Sequence, residues 1–199
     1  VLFRSEASLD VWRCGLLPAP RGRGIWVMPA SRREPGRILT PDEAQAFAAD
    51  CRAEGRRVVF TNGVFDLLHP GHVRYLQAAR QLGDVLIVAI NTDRSVSQNK
   101  GPSRPIIPQD ERAELLAALA AVDAVTTFDE ETPHAIIERI QPDILVKGAD
   151  WAADAIVGRD TVERRGGRVV RMSIEPGHST SNIIDRVRRA THRTPERHP

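Results

Sequence analysis

The tetrapeptide His69-Pro70-Gly71-His72 places two titratable rings three residues apart at the start of an amphipathic run, shortly after an apolar segment that closes on Thr61-Asn62-Gly63. Proline suits a first helical turn, because its φ is already set and it has no N–H to leave unpaired there. The two histidines therefore flank a helix N-terminus. Such a terminus offers unpaired N–H groups and the positive end of the helix dipole, and Gly63 and Gly71 let backbone come close to a bound group. The guest this arrangement suits is a phosphate, to whose oxygens His69 and His72 can both donate N–H bonds. Capping and packing are the competing use of such histidines. Zinc is a poorer fit, because no cysteine or carboxylate stands at ligand spacing beside them.

Three other segments carry groups of the same character. In "GHSTSNII", Ser179, Thr180 and Ser181 bring three hydroxyls to the start of the last helical pattern, where they can cap the helix, hold a phosphate, or do both. In "VKGADW", Lys147 and Gly148 leave an apolar run and are followed by Asp150 and Trp151; the indole can stack on a base while nearby backbone reads its edge, or it can plug the margin of the core. In "NKGPSRPI", Lys100, Gly101 and Arg104 read as a flexible basic loop placed to close over phosphates.

These groups need a scaffold, and the hydrophobic pattern supplies one. Runs rich in Val and Ile mark strands at 57–61, 85–91, 124–128, 143–146 and 168–172. Helical patterns lie between and after them at 71–82, 108–121, 133–140, 155–165 and 181–190. A further helix precedes them: Thr40-Pro41-Asp42-Glu43 is a capping box that opens a helix to about Glu54. Repeated β–α alternation with near-continuous apolar strands predicts an α/β fold, a Rossmann-like, doubly wound, parallel five-stranded sheet with helices on both faces. Ligands of such sheets sit at the carboxyl ends of the strands, which is where the first two constellations fall.

With 199 residues, 41% hydrophobic and 27% charged, the chain can build one domain with a core. Residues 1–37 are expected to form a poorly ordered extension, 38–190 the domain, and 191–199 a flexible tail. Met28 is the expected native start. The extension holds 7 of the 28 Lys/Arg against 3 of the 26 Asp/Glu, so the rest of the chain is slightly acidic, at −2. That argues against nucleic acid as a partner. No run approaches 18 apolar residues, no signal peptide is apparent, and two cysteines are too few for a disulfide framework. The expectation is a cytoplasmic protein with no membrane partner.

Taken together, "TNGVFDLLHPGH", "INTDRSV", "KGPSRPIIPQDER", "PDILVKGADW" and "HSTSNII" resemble the HxGH nucleotidylyltransferase superfamily, over roughly residues 38–190. Within it they are most similar to the adenylyltransferases that make ADP-heptose, a lipopolysaccharide core precursor, from D-glycero-β-D-manno-heptose 1-phosphate and ATP. The resemblance implies attack of a sugar phosphate on the α-phosphorus of ATP, with pyrophosphate leaving and Mg²⁺ on the triphosphate. Carried over by position, His69, His72 and Lys100 are the catalytic group. Thr61, Asn62, Gly63, Phe65, Gly71 and the Ser179–Ser181 helix start cradle the triphosphate, and Lys147, Gly148, Asp150 and Trp151 border the nucleotide. Asp66 and Asp93 orient hydroxyls, while Arg104 screens incoming charge. The resemblance further implies small-molecule substrates, self-association and a heptose kinase, either as a separate partner or as the preceding part of a longer chain. Related cytidylyltransferases place an arginine shortly before the Ser-Thr segment; here it reads Ile174-Glu175-Pro176, which weakens CTP as substrate and leaves Arg171 to reach that phosphate. The alternatives are a cytidylyl- or adenylyltransferase for another polyol or amino-alcohol phosphate, such as glycerol 3-phosphate, and a non-catalytic nucleotide-binding module.

Overall fold

A computed structural model of the chain describes residues 34–148, 156–172 and 180–191. In chain order the elements are β1 (Arg37–Ile38), α1 (Pro41–Ala53), β2 (Val58–Gly63), α2 (Pro70–Arg80), β3 (Val85–Asn91), α3 (Asp93–Lys100), α4 (Gln109–Ala117), β4 (Ala124–Phe128), α5 (His134–Ile140), β5 (Ile144–Gly148), α6 (Arg159–Glu163), β6 (Arg168–Met172) and α7 (Thr180–Thr191). The strands form one parallel sheet in the order β1-β4-β3-β2-β5-β6. None of the described helices is long and apolar enough to cross a membrane.

The two-residue period of a strand divides the apolar runs between the two faces of this sheet. Val58, Phe60, Ile87 and Ala89 point to one side and meet Ala44, Ala48 and Cys51 of α1 and Ile136, Ile137 and Ile140 of α5. Val59, Leu86, Val88 and Ile90 point to the other and meet Leu76 and Ala79 of α2 and Leu116 of α4. Every residue of β3 is buried, which is why its sequence, VLIVAIN, shows no polar alternation. The capping box forms as the sequence indicates. The Glu43 amide donates to Thr40 Oγ1 at 3.3 Å, and the Thr40 amide donates to Glu43 Oε2 at 2.8 Å.

Strand order decides where a ligand can go. From β2 the chain steps to β3 and β4 on one side, then crosses to β5 and β6 on the other, so β2 and β5 are neighbours that the chain leaves in opposite directions. A crevice opens at their carboxyl ends. β2 and β5 each run two residues past the apolar stretch that announces them, which puts Asn62-Gly63 and Lys147-Gly148 on paired strands at the lip of that crevice.

The sheet has six strands where the apolar pattern indicates five. Arg37, expected to end the extension, and Ile38, expected to open the domain, pair with β4, and the Gly36 and Leu39 amides donate to Ala117 O and Val125 O at 2.8 Å. Gly36 is needed there, because a Cβ would come within 2.7 Å of Val122 O. Ahead of the expected basic loop at 99–106, which begins at Gly101, the chain forms a helix that the apolar pattern does not show. In α3, Thr92 accepts from the Ser95 amide as its cap, and Lys100 is the last helical residue. The helix expected at 155–165 is confined to Arg159–Glu163 among the described residues, entered through Gly158 at φ 84°.

Candidate active site

A cavity of about 500 Å³ opens at the carboxyl ends of β2, β3 and β5. Asn62 and Gly63 reach it from β2, Lys147 and Gly148 from β5, and Gly71 and His72 from the first turn of α2. Lys100 reaches it from the end of α3 and Phe65 from the β2–α2 loop. Asn62 and Lys147 lie side by side across the β2/β5 boundary, where the ammonium donates to Asn62 Oδ1. Gly63 is tightly placed, since a Cβ would meet the Phe65 ring at 3.0 Å. Phe65 itself is held at φ 48°, in the left-handed region that a bulky residue adopts only under constraint from its surroundings.

The two histidines meet. Their rings stack at 3.8 Å between centroids and 18° between planes. His69 is the N-cap of α2; its Nδ1 accepts from the His72 amide at 3.3 Å, which puts the ring proton on Nε2. It is 8% exposed and lies behind His72, which lines the cavity. Two imidazolium ions at this separation would repel by about 4 kcal/mol at an effective dielectric near 20. Burial and the neighbouring His69 together pull His72 down to about 4, so it is neutral at pH 7. Its buried Nδ1 has no hydrogen-bond partner among the described residues. A neutral His72 can donate one N–H to an anion and can accept a proton as negative charge builds beside it.

Lys147 supplies the positive charge. Burial pulls its ammonium down to about 8, and no carboxylate among the described residues is paired with it. A half-buried cation of this kind gains when an anion arrives. Pro70 has no N–H and the His72 and Val73 amides already bond to His69, so with the Gly71 amide and the positive end of the α2 dipole Lys147 makes the β2/β5 end of the cavity a receptor for phosphate oxygens.

Other residues singled out from sequence do not line this cavity. Thr61 is buried, its hydroxyl 2.8 Å from Tyr75 Oη. Asp66 is 2% exposed. Its Oδ1 accepts from the Ile106 and Ile107 amides at 2.8 and 2.9 Å, and its Oδ2 from Arg104 Nε at 2.5 Å. Asp66 therefore anchors the α3–α4 loop, and Arg104 is the other half of that anchor instead of a screen over the cavity. Asp93 takes a bond of 2.7 Å from Arg112 Nη2. Thr180, the first residue of α7, donates to Leu67 O at 3.5 Å, which brings α7 beside the β2–α2 loop, and Ser181 is exposed on that helix. Asp150, Trp151 and Ser179 lie outside the described residues.

The structure adds groups that the motifs do not reveal. Asn91 closes β3 and Phe128 closes β4; Asn99, Glu131 and Thr132 complete that side of the cavity. Beneath it, the fully buried guanidinium of Arg112 donates to Val64 O, Asn91 O and Ile107 O at 2.7–2.9 Å, tying three rim segments to α4. An arginine in the amphipathic run 108–121 reads as a surface charge, and nothing in its sequence neighbourhood marks it as buried.

Comparison with known proteins agrees with this geometry. Residues 60–186 match the family model described as Cytidylyltransferase-like. The chain is 54% identical over 136 residues to Bifunctional protein HldE of Syntrophotalea carbinolica, covering 68% of this chain and 28% of that one. It is 43% identical over 184 residues to Bifunctional protein HldE of Gluconobacter oxydans, covering 92% and 38%. The chain thus spans about a third of the length of these curated relatives. Among solved structures, the lipopolysaccharide core biosynthesis protein from Thermoplasma volcanium superposes with a TM-score of 0.53 at 32% identity, over 61% of this chain and 99% of that one.

Proposed function

Because the chain belongs to the cytidylyltransferase-like family and is a nucleotidyltransferase, we propose that it transfers AMP from ATP to D-glycero-β-D-manno-heptose 1-phosphate, giving ADP-heptose and pyrophosphate. The observation that carries this reading is that His72 and Lys147 line one cavity at the β2/β5 crevice, in a chain about half identical to HldE proteins over most of its folded part. A phosphate oxygen of the sugar phosphate attacks the α-phosphorus. The bond from that phosphorus to the α–β bridging oxygen breaks, and the bridging oxygen leaves with its electron pair on pyrophosphate. The nucleophile is already an anion, so no general base is required. What the protein supplies is alignment and neutralisation of the charge that grows on the α- and β-phosphates.

In this reading Lys147 and the α2 N-terminus hold the polyphosphate, and His72 donates to an oxygen whose charge increases in the transition state. His69, its own tautomer set by the His72 amide, fixes the orientation of the His72 ring by stacking behind it. Gly63 and Gly71 give the phosphates room, Lys100 covers them from α3, and Gly148, with Asp150, Trp151 and the Ser179–Ser181 segment, borders the nucleotide. Mg²⁺ belongs to the substrate. Among the described lining residues Glu131 is the single carboxylate, and no three described His, Cys, Asp or Glu side chains cluster to hold a metal. The ion enters on the triphosphate with its waters, and no step is assigned to it. The sugar 1-phosphate requires a kinase to make it, and the unmatched two thirds of the bifunctional relatives is where such an activity would reside. A cytoplasmic location and self-association belong to the same proposal.

The test is the mass of the product. Incubation with ATP and heptose 1-phosphate is expected to yield ADP-heptose and one pyrophosphate per turnover. Turnover with CTP and glycerol 3-phosphate, and none with ATP and the heptose, would overturn the assignment.

A further inference from the structure

The cavity is chemically divided. Its β2/β5 end offers donors: the Lys147 ammonium, the His72 imidazole and the Gly71 amide in the first turn of α2. The β3/β4 end offers a carboxylate and two side-chain amides. Glu131, in the β4–α5 loop, is acceptor-only when ionised. Asn91 gives one Nδ2 hydrogen to Ser95 Oγ at 3.0 Å, which leaves Oδ1 and one N–H to meet both lone pairs and protons of a hydroxyl. Asn99 stands opposite on the last turn of α3, and Phe128 provides an apolar floor 4% exposed. Four adjacent strands, β4-β3-β2-β5, separate the two ends by about 14 Å at roughly 4.8 Å per strand.

A carboxylate in a pocket built for polyanions is adverse unless something donates to it. Phosphates at pH 7 do not, whereas alcohols do. Two neighbouring hydroxyls can each give an O–H to the two oxygens of one carboxylate, in the bidentate arrangement that carboxylates favour. Lys100 is the one cation among the described lining residues of this end, and from α3 it can meet an acceptor's phosphate at the junction of the two halves. Asp66 is buried and bonded to the α3–α4 loop, and neither it nor Asp93 lines the cavity, which leaves this role open. From this division we infer that Glu131, with Asn91 and Asn99, reads the hydroxyls of the acceptor sugar and so sets specificity for a polyhydroxylated phosphate over a simple alkyl phosphate. The inference rests on the proposed transfer reaction and adds to it the orientation of the acceptor: phosphate toward His72, hydroxyl edge toward β4.

Glu131→Ala and Glu131→Gln test it. Glu131 is exposed and is not one of the buried core residues, so both variants keep the fold. Loss of two charge-assisted bonds at an exposed site is expected to raise KM for heptose 1-phosphate by about 10- to 100-fold in Glu131→Ala. Glu131→Gln, which keeps one acceptor oxygen, should fall between. KM for ATP should stay within about twofold, and the preference for the heptose over glycerol 3-phosphate should shrink by the same factor. An unchanged acceptor KM, or an equal rise in KM for ATP, overturns the inference. Calorimetric titration of heptose 1-phosphate reads the same contact without turnover. An inactive wild type whose affinity for the sugar phosphate still drops on Glu131→Ala refutes the proposed reaction and upholds hydroxyl reading; an active wild type with affinity indifferent to Glu131 refutes only the latter.

Discussion

Replacing Lys147 with methionine should make the empty protein more stable and the nucleotide complex weaker. Burial lowers the ammonium from 10.5 to about 8, a cost to the folded state of about 3 kcal/mol at 1.36 kcal/mol per unit. The bond to Asn62 Oδ1 returns about 1 kcal/mol, so the substitution should stabilise by about 2 kcal/mol at pH 7. The sign with pH follows from the lowered value. Below pH 8 the lysine is charged in both folded and unfolded states and the full cost is present. Between pH 8 and 10.5 the unfolded chain binds more protons than the folded one, so wild-type stability rises with pH and the gap closes. Urea unfolding of both proteins at pH 7 and pH 10 measures this. Binding moves the other way. A unit charge about 4 Å from a phosphate oxygen is worth about 4 kcal/mol at an effective dielectric of 20, so Lys147→Met should weaken a non-hydrolysable ATP analogue by about 10²- to 10³-fold at pH 7. Wild-type affinity should fall as pH rises above 8, where His72 on the same cavity is already neutral, and the variant should lack that fall. A variant less stable than wild type at pH 7, with unaltered affinity, would refute the reasoning.

Arg112→Met should be among the most damaging changes available. It leaves the carbonyls of Val64, Asn91 and Ile107 without their donor at a fully buried site, a loss of about 3–5 kcal/mol by urea unfolding, whereas Arg112→Lys should lose less. Thr40→Ala removes the capping box of α1 and should cost about 1 kcal/mol, a fall in Tm of about 2–4 °C by calorimetry, with no effect on nucleotide affinity.

Much of this fold is legible from the sequence because its strands are short, apolar and separated by amphipathic runs. Val85–Asn91 announces a central strand by having no polar alternation, and His69-Pro70-Gly71-His72 announces a helix start by proline and glycine alone. Elements without an apolar pattern are silent. Asp93–Lys100, reading DRSVSQNK, is helical because Thr92 caps it and Ser95 and Val96 pack inward, and two-residue β1 is too short for any period to show. In the site, cavity-lining residues carried by local motifs are legible in sequence, and those defined by distant partners are not. Asp66 looks like a ligand-facing carboxylate until its bonds to Ile106 and Ile107, some forty residues on, are seen. Arg112 and Glu131 are the converse: ordinary charges in sequence that the sheet topology brings beneath and into the cavity.

The claim beneath all of this is that His72 acts on a phosphate whose charge grows during transfer. Single-turnover kinetics of His72→Ala with ATP and heptose 1-phosphate, alongside equilibrium binding of the ATP analogue, test it most directly. The account predicts a rate of adenylyl transfer lower by about 10²- to 10³-fold with nucleotide affinity within a few-fold of wild type. A variant that transfers at the wild-type rate, or one whose whole defect lies in nucleotide affinity, would contradict it.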